Sequence, residues 1–302
     1  MVRPDVVIAG AAKCGTTALA AALSDHPEFC VGPEKEPRFF TDLEPSFVGP
    51  LSDGFNQTLI RDPDAYAANF DDAGERRTVD ASTDYLNTPS SAEAIVKANP
   101  DVLVIIGIRH PVRRAWSEHL HLKRAGAENH TFDEALRLEA ERRAAGWVPL
   151  FGHVERSRYS AGIRAFMDAC GPDRIFLYRH EDLVARPDET LERLSGFLDV
   201  MAPIHVPEQH NVGGVPKSHL INQLVRADGG ALHQLRLRAR ALVPRSVRRH
   251  LREAIDRANL DRSDRPTVKA SEWILSRVAA DMTETEASTG VDLSSYREPL
   301  TD

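Results

Sequence analysis

The sequence is poor in the features that mark several other classes of protein. It has 3 cysteines, Cys14, Cys30 and Cys170, and they lie far apart. Neither a disulfide framework nor a paired-cysteine metal site is therefore expected, and this usage fits a reducing compartment. No apolar run approaches the roughly 20 residues that span a bilayer. The short run Val6–Ala12 follows no basic leader, so we expect a cytoplasmic protein without a secretory signal.

Net positive charge is also missing. The formal net charge is -7, so the basic surface that is typical of nucleic-acid-binding proteins is not expected. The 12 histidines form no pattern such as H-E-x-x-H, and we expect no metal. Hydrophobic residues make up 42% of the chain, which is ordinary for a globular protein with a sizeable core. We expect one domain over residues 1–302, and the Ala- and Arg-rich composition is compatible with a bacterial source.

Short apolar runs alternate with helix-forming segments along most of the chain. Strands are predicted at Asp5–Ala9, Thr78–Ser82, Val102–Ile108 and Arg174–Tyr178. Helices are predicted at Thr16–Ser24, Pro63–Phe70, Ser90–Asn99, Val112–Arg124, Phe132–Ala145, Arg158–Ala169 and Asp188–Leu198. This alternation indicates an α/β fold with a P-loop-like, doubly wound parallel sheet flanked by helices.

Two segments depart from this alternation. Pro33–Asp84 is rich in Pro, Gly and Asp, and we expect mostly irregular surface loops there. From about Asn222 to the end of the chain the pattern is mostly helical, with an Arg-rich stretch at Arg236–Arg252. We interpret that last part as a C-terminal helical segment of the same domain.

The segment Gly10–Thr17 (GAAKCGTT) lies between a predicted strand and a predicted helix. The backbone N–H groups of such a turn and of the helix N-terminus converge on an anion. A tight turn made by Gly10 and Gly15 is the simpler alternative. Lys13 and the two threonines instead favour a phosphate or sulfate ligand, because they add a cation and hydroxyl donors.

The same turn differs from the Walker A loop of nucleoside triphosphatases. Thr16 follows Gly15 where that pattern has a lysine. The strongest later strand, Val102–Ile108, is followed by Arg109 instead of an acid. The magnesium-binding residues of such an enzyme are therefore not expected.

A second polar cluster follows Val102–Ile108. Arg109 stands at the carboxyl end of this strand, where ligands bind in open α/β sheets. Pro111 suits the first turn of a helix, and Ser117 lies eight residues after Arg109. Arginine and a hydroxyl together suit a phosphate monoester. Solvated surface charges are the alternative for Arg109 and Arg113.

These two clusters resemble the nucleotide-binding motifs of sulfotransferases that use 3′-phosphoadenosine-5′-phosphosulfate (PAPS). Lys13–Thr17 (KCGTT) is similar to the 5′-phosphosulfate loop, K-x-G-T-T, and the Arg109–Ser117 segment to the 3′-phosphate motif, with His110 at the usual Asp or Asn position. The resemblance implies PAPS as co-substrate and Lys13 as the catalytic lysine at the bridging oxygen. It places on the nucleotide Ala12, Lys13, Cys14, Gly15, Thr16, Thr17, Arg109, Ser117 and, from a later Gly/Pro-rich loop, Lys217. A solvated loop lysine is the alternative for Lys217.

Glu34–Phe40 (EKEPRFF) resembles the K-E-x-x-F-F segment of the heparan sulfate and carbohydrate branch of that family. By this match Glu36 is the general base that deprotonates the acceptor. The alternative is an exposed charged turn, with Phe39 and Phe40 in the core.

The acceptor is less clearly encoded. Asp80–Tyr85 (DASTDY) resembles a cleft-lining segment, often E-K-[ST]-P-x-Y, but Ala81 replaces its lysine, so the acceptor specificity of glycan-sulfating relatives does not transfer simply. Candidate acceptor contacts are Phe40, Tyr85 and His119. The resemblance implies sulfuryl transfer to a hydroxyl or amine of a carbohydrate, glycolipid or natural product. A P-loop kinase or nucleoside triphosphatase and a non-catalytic nucleotide-binding scaffold are the alternatives.

Overall fold

The computed structural model describes residues 3–206, 215–216, 260–261 and 265–300. Its main strands are β1 (Val6–Gly10), β2 (Phe29–Val31), β3 (Arg77–Asp80), β4 (Leu103–Ile108) and β5 (Ile175–Arg179). They form one sheet in the order β2-β3-β1-β4-β5, and every neighbouring pair is parallel. A separate antiparallel pair joins β6 (Val215–Pro216) and β7 (Leu260–Asp261). The five-stranded sheet confirms the predicted α/β class.

Helices cover both faces of the sheet. They are α1 (Thr16–Asp25), α2 (Ser52–Gln57), α3 (Pro63–Ala68), α4 (Ser90–Ala98), α5 (Pro111–Ala125), α6 (Phe132–Ala144), α7 (Ser160–Cys170), α8 (His180–Ala185), α9 (Pro187–Leu198) and α10 (Val268–Thr289). Single 3-10 turns lie at Tyr85–Asn87, Pro149–Phe151, Glu155–Ser157, Pro172–Arg174 and Ser294–Tyr296. Every helix predicted above is present with ends within two residues of the prediction, and the predicted strands end within two residues as well.

Alternate residues of β1 face opposite layers of the core. Val7 and Ala9 pack with apolar residues of α4, α5, α7 and α10, whereas Val6 and Ile8 pack with residues of α1, α8 and α9. All four side chains are fully buried, which explains why this strand has no polar alternation. Each large apolar side chain buried in this way contributes about 1.5–3 kcal/mol. The sheet therefore forms a rigid base for the loops at its carboxyl edge.

The segment Pro33–Asp84 is more ordered than the sequence predicts. It contains α2 as well as the predicted α3 and β3, and it buries Arg38 and Tyr66. Neither α2 nor β2 was predicted. β2 has only three residues and its partner, β3, lies far along the chain, so local pattern carries little signal for it.

The C-terminal part is helical where the structure describes it. α10 packs against the rest of the core through Ile274 and Val278. Lys217 and the Arg236–Arg252 stretch lie outside the described residues. In the described ranges no helix is long and apolar enough to cross a membrane. The single-domain organisation stays a prediction.

Candidate functional site: a nucleotide-binding loop beside a buried ion-pair chain

The loop between β1 and α1 has a conformation that its glycines permit. Gly15 has φ 90° at the N-cap of α1, and a Cβ there would lie 2.9 Å from Leu183 and 3.2 Å from His180. Only glycine combines this left-handed backbone with so close an approach at no steric cost. The packing thus accounts for a glycine immediately before the helix.

The N-terminus of α1 is suited to an anion. This helix, which the structure describes in full, has no acidic residue in its first turn and no side-chain N-cap. The N–H groups of a first helical turn have no partners within the helix, and the helix dipole favours negative charge there. The predicted phosphate-binding loop therefore has the electrostatics that the prediction requires.

Arg109 lies directly against this loop. Its Nη1 donates to the backbone carbonyl of Lys13 at 2.9 Å, and the hydroxyl of Tyr159 donates to the Arg109 carbonyl at 2.8 Å. The Nε of Arg109 is buried without a hydrogen-bond partner. Burial lowers the pKa of this guanidinium, so an anionic ligand would remove part of its desolvation cost. The two sequence motifs meet at one edge of the sheet.

His110 stands where the usual 3′-phosphate motif has Asp or Asn, and it performs the same helix-capping role. It is the N-cap of α5, and its Nδ1 accepts from the Val112 N–H at 3.2 Å, the role that an Asp or Asn oxygen plays in other helices. Its Nε2 lies 3.1 Å from the Glu298 carbonyl. Burial lowers the pKa of His110, which favours the neutral ring that this pair of contacts needs. Ser117 is half-buried two turns further along α5.

Glu36 lies close to the same loop. Lys35 Nζ donates to Thr17 Oγ1 at 3.0 Å and to Glu36 Oε1 at 3.3 Å. Thr83 Oγ1 lies 3.4 Å from the same carboxylate oxygen. The Glu36 side chain is 23% exposed, so it remains accessible to a substrate. The structure therefore brings the predicted base and the predicted phosphate loop together through Lys35.

Glu36 is also the exposed end of a series of charged side chains, the ion-pair chain. Its members alternate in sign and are Glu36, Arg38, Asp84, Arg156, Glu118 and Arg114. The successive N–O distances are 2.5, 2.5, 2.6, 3.8 and 2.7 Å. Apart from Glu36, every member has a side chain no more than 9% exposed. The sequence gives no signal for this chain, because Asp84 lies 46 residues from Arg38 and 72 from Arg156.

Asp84 is the anion at the middle of the chain. Burial raises its pKa, but Arg156 and Arg38 outweigh burial and hold it below the ordinary value. We expect Asp84→Asn to lower the free energy of unfolding at neutral pH by about 3–5 kcal/mol, as is usual when one partner of a buried pair is lost. Urea unfolding measures this. The difference in unfolding free energy between the wild type and Asp84→Asn should shrink as the pH falls through the depressed pKa of Asp84. The wild-type carboxylate is then protonated and, like asparagine, carries no charge.

Asp182→Asn is the matched control for that substitution. The Asp182 carboxylate pairs with Arg179 and Arg186 but is 22% exposed. Exposed ion pairs contribute about 0–1 kcal/mol. Equal losses of unfolding free energy in Asp84→Asn and Asp182→Asn would show that burial does not strengthen the ion pairs of Asp84.

The three predicted acceptor contacts lie beneath the surface or at its edge. Tyr85 is fully buried and donates to Asp80 Oδ2 at 2.7 Å. Burial raises the pKa of Asp80 to about 6. Phe40 is half-buried, with its ring centroid 6.2 Å from that of Tyr85. His119 is 2% exposed and stacks on Trp116. Acceptor contact through these residues stays a prediction.

One group of side chains has the composition of a metal site. Ligand atoms of His119, Glu128 and His153 all lie within 4.8 Å of one another. Glu128, however, is paired with Arg142 at 2.5 and 3.1 Å. Burial and nearby cations lower the pKa of both histidines, that of His119 to about 4. Metal-binding imidazoles are neutral, so these shifts do not argue against a metal; the pairing of both Glu128 oxygens with Arg142 is why we assign none to this group.

The chain is similar to known sulfotransferases in sequence and in fold. A sequence profile described as "Sulfotransferase family" matches residues 4–203. The bifunctional heparan sulfate N-deacetylase/N-sulfotransferase 1 of Caenorhabditis elegans is 29% identical over 119 residues, which are 39% of this chain and 13% of that protein. The chain thus spans only a small part of that relative's length. The crystal structure of a sulfotransferase from Alicyclobacillus acidocaldarius matches with a TM-score of 0.75 and 28% identity, over 99% of this chain and 100% of the other.

Proposed function

The chain belongs to the sulfotransferase family, and we propose that it transfers a sulfuryl group from PAPS to a hydroxyl or amine of a carbohydrate, glycolipid or natural-product acceptor. Family, relative and fold all identify a sulfotransferase enzyme, and the family implies PAPS as the donor. The acceptor class is inferred from the sequence resemblance alone, and the roles of individual residues from that resemblance together with the contacts described above. The released nucleotide is 3′,5′-ADP.

The contact that best supports these roles is the bridge made by Lys35. It joins Thr17 in the phosphate loop to the Glu36 carboxylate, over 3.0 and 3.3 Å. A group transferred between the two must pass within reach of both. The bridge therefore favours a reaction in which Glu36 deprotonates the acceptor while the phosphate loop binds the donor.

The transfer itself is an in-line exchange at sulfur. A bond forms from the acceptor oxygen or nitrogen to sulfur, the bond from sulfur to the 5′-phosphate oxygen breaks, and Glu36 takes the acceptor proton. Lys13 and the N–H groups at the start of α1 stabilise the negative charge on the leaving phosphate. Arg109 and Ser117 bind the 3′-phosphate, so remote binding energy positions the sulfuryl group.

A nucleotide-binding measurement tests the donor assignment without knowledge of the acceptor. We expect 3′,5′-ADP at a hundred times its Kd to raise the free energy of unfolding by about 2.7 kcal/mol, and AMP, which lacks the 3′-phosphate, to bind more weakly. Thermal unfolding in the presence of 3′,5′-ADP, AMP, ATP–magnesium or buffer alone shows which nucleotide stabilises the protein most. Arg109→Gln should abolish the preference for 3′,5′-ADP over AMP. Stronger stabilisation by ATP–magnesium would overturn the donor assignment in favour of a kinase or nucleoside triphosphatase.

A further inference from the structure

Arg61 is a half-buried arginine between α2 and α3, outside all the motifs recognised in the sequence. Its Nη1 donates to the carbonyls of Arg38 and Phe39, at 3.0 and 3.1 Å. Its Nη2 donates to Thr41 Oγ1 at 3.0 Å. One guanidinium thus joins three residues of a single turn, residues 36–43, which we call the base turn.

The acceptors of Arg61 are uncharged. The guanidinium also donates to the carbonyls of Ile60 and Leu43, so its five acceptors are four backbone oxygens and one hydroxyl. An arginine presents five N–H donors in one rigid plane, whereas a lysine has a single rotating ammonium group. Arg61 can therefore hold several carbonyls in one fixed arrangement, which a lysine could not do.

The base turn has an unfavourable backbone conformation at Arg38. This residue has φ 50°, in the left-handed region that non-glycine residues rarely adopt. A backbone of this kind persists where its surroundings hold it. The Arg38 N–H donates to Ser82 Oγ at 3.0 Å, and its carbonyl accepts from Thr41 Oγ1 at 2.8 Å as well as from Arg61. Arg61 is thus one of three side chains that hold the turn at this residue.

The side chain of Arg38 in turn holds Glu36. Arg38 Nη1 donates to the Glu36 carbonyl at 3.0 Å, and its Nη2 donates to Glu36 Oε2 at 2.5 Å. If Arg38 relaxed to an ordinary backbone conformation, its guanidinium would move relative to both groups. A misplacement of about 1 Å can lower a reaction rate by about 10²-fold.

We propose that Arg61 is a positioning residue for sulfuryl transfer: it holds the left-handed turn at Arg38 and so keeps the Glu36 carboxylate in place for the acceptor. This role rests on the function proposed above for Glu36. Arg61 acts on the base through the backbone of Arg38, so its loss should affect the acceptor half of the site and not the binding of the nucleotide.

Hydrogen exchange of the full chain tests whether Arg61 holds the turn. The Thr41 N–H donates to the Arg38 carbonyl at 3.1 Å, so its exchange reports on the opening of the turn. We expect Arg61→Met to speed exchange across residues 36–43, measured by mass spectrometry. Arg61→Lys should do nearly the same, because it keeps the charge but loses the planar donor group. Unchanged exchange in Arg61→Met would overturn the proposal.

Arg77→Met is the matched control. Arg77 is also half-buried, and it donates to a backbone carbonyl, that of Leu198, at 2.6 Å. It is the first residue of β3, so it lies at the amino edge of the sheet, opposite the edge that carries the site. Exchange of the base turn should stay at the wild-type rate in this variant. An equal increase in both variants would indicate a general loss of stability and would count against the proposal.

Turnover of PAPS measures the consequence for the reaction. We expect Arg61→Met to lower kcat by about 10–10²-fold, while the affinity for 3′,5′-ADP, measured by calorimetry, stays unchanged. In the Glu36→Gln background the same substitution should lower kcat no further, because the base that Arg61 positions is already lost. A further loss of the same size there would mean that Arg61 supports the cleft in general, and the positioning role would be wrong.

If Arg61→Met does not fold, Thr41→Val removes one hydroxyl from the base turn with little change of shape. This hydroxyl accepts from Arg61 and donates to the Arg38 carbonyl. Exchange of the turn should again rise, and kcat should fall by a smaller factor than in Arg61→Met. Wild-type exchange and wild-type kcat in Thr41→Val would contradict the proposal.

Exchange and turnover fail separately. A wild-type protein that transfers no sulfuryl group, although Arg61→Met speeds exchange, would refute the proposed function and leave the turn held by Arg61. Transfer by the wild type together with unchanged exchange in Arg61→Met would refute the role of Arg61 alone.

Discussion

Replacing Lys13 by alanine is expected to reduce sulfuryl transfer by about 10²–10³-fold or more, because the site then lacks the cation beside the leaving phosphate. The fold should survive. Lys13 is half-buried and has φ 71°, and alanine meets the same backbone restriction as lysine there. Burial is the main cause that lowers the pKa of Lys13, so the substitution removes a charge that is costly to bury, and stability should not fall.

The measurement is release of 3′,5′-ADP from PAPS, followed by mass spectrometry with a panel of sugar, glycolipid and natural-product acceptors. Lys97→Ala is the matched control, because Lys97 is an exposed lysine in the last turn of α4 and should not affect transfer. Thermal unfolding of both variants checks the fold. Near-wild-type turnover in Lys13→Ala would refute the role of the loop as the catalytic element.

Local sequence patterns predict the central strands of the sheet and the glycine turn that follows its first strand. The run Leu103–Ile108 is apolar throughout because both of its faces are buried, and this pattern predicts a central strand. The strand, glycine turn and helix at β1–α1 likewise predict an anion site before any contact is known. Arg109 was predicted to lie at the same edge because the carboxyl ends of parallel strands meet there.

The polar interior could not be predicted in the same way. Arg38 looks like an exposed charge beside Glu36 in the sequence, yet its side chain is 9% exposed and its Nε donates to Asp84 at 2.5 Å. Burial of such charges is decided by partners that only the folded chain brings together. Sequence patterns show which residues carry chemistry at strand ends, but not which distant charges neutralise one another beneath them.

Glu36 provides the sharpest test of the acceptor half of the site. Glutamine has the same shape as glutamate and can still accept the hydrogen bond from Arg38, but it cannot take a proton from the acceptor. We expect Glu36→Gln to lower kcat by about 10²–10⁴-fold, the usual contribution of a general base. The affinity for 3′,5′-ADP, measured by calorimetry, should stay unchanged, because the nucleotide is bound by the loop and Arg109.

Glu34→Gln is the matched control, since Glu34 is an exposed glutamate two residues away in the same segment and should retain full activity. A fall in kcat for Glu36→Gln with intact nucleotide affinity means that the lost step is proton removal, because only the charge and basicity of one side chain have changed. Equal losses of turnover and nucleotide affinity would instead mean that Glu36 acts through Lys35 on the phosphate loop. In that case the base must be another group in the cleft.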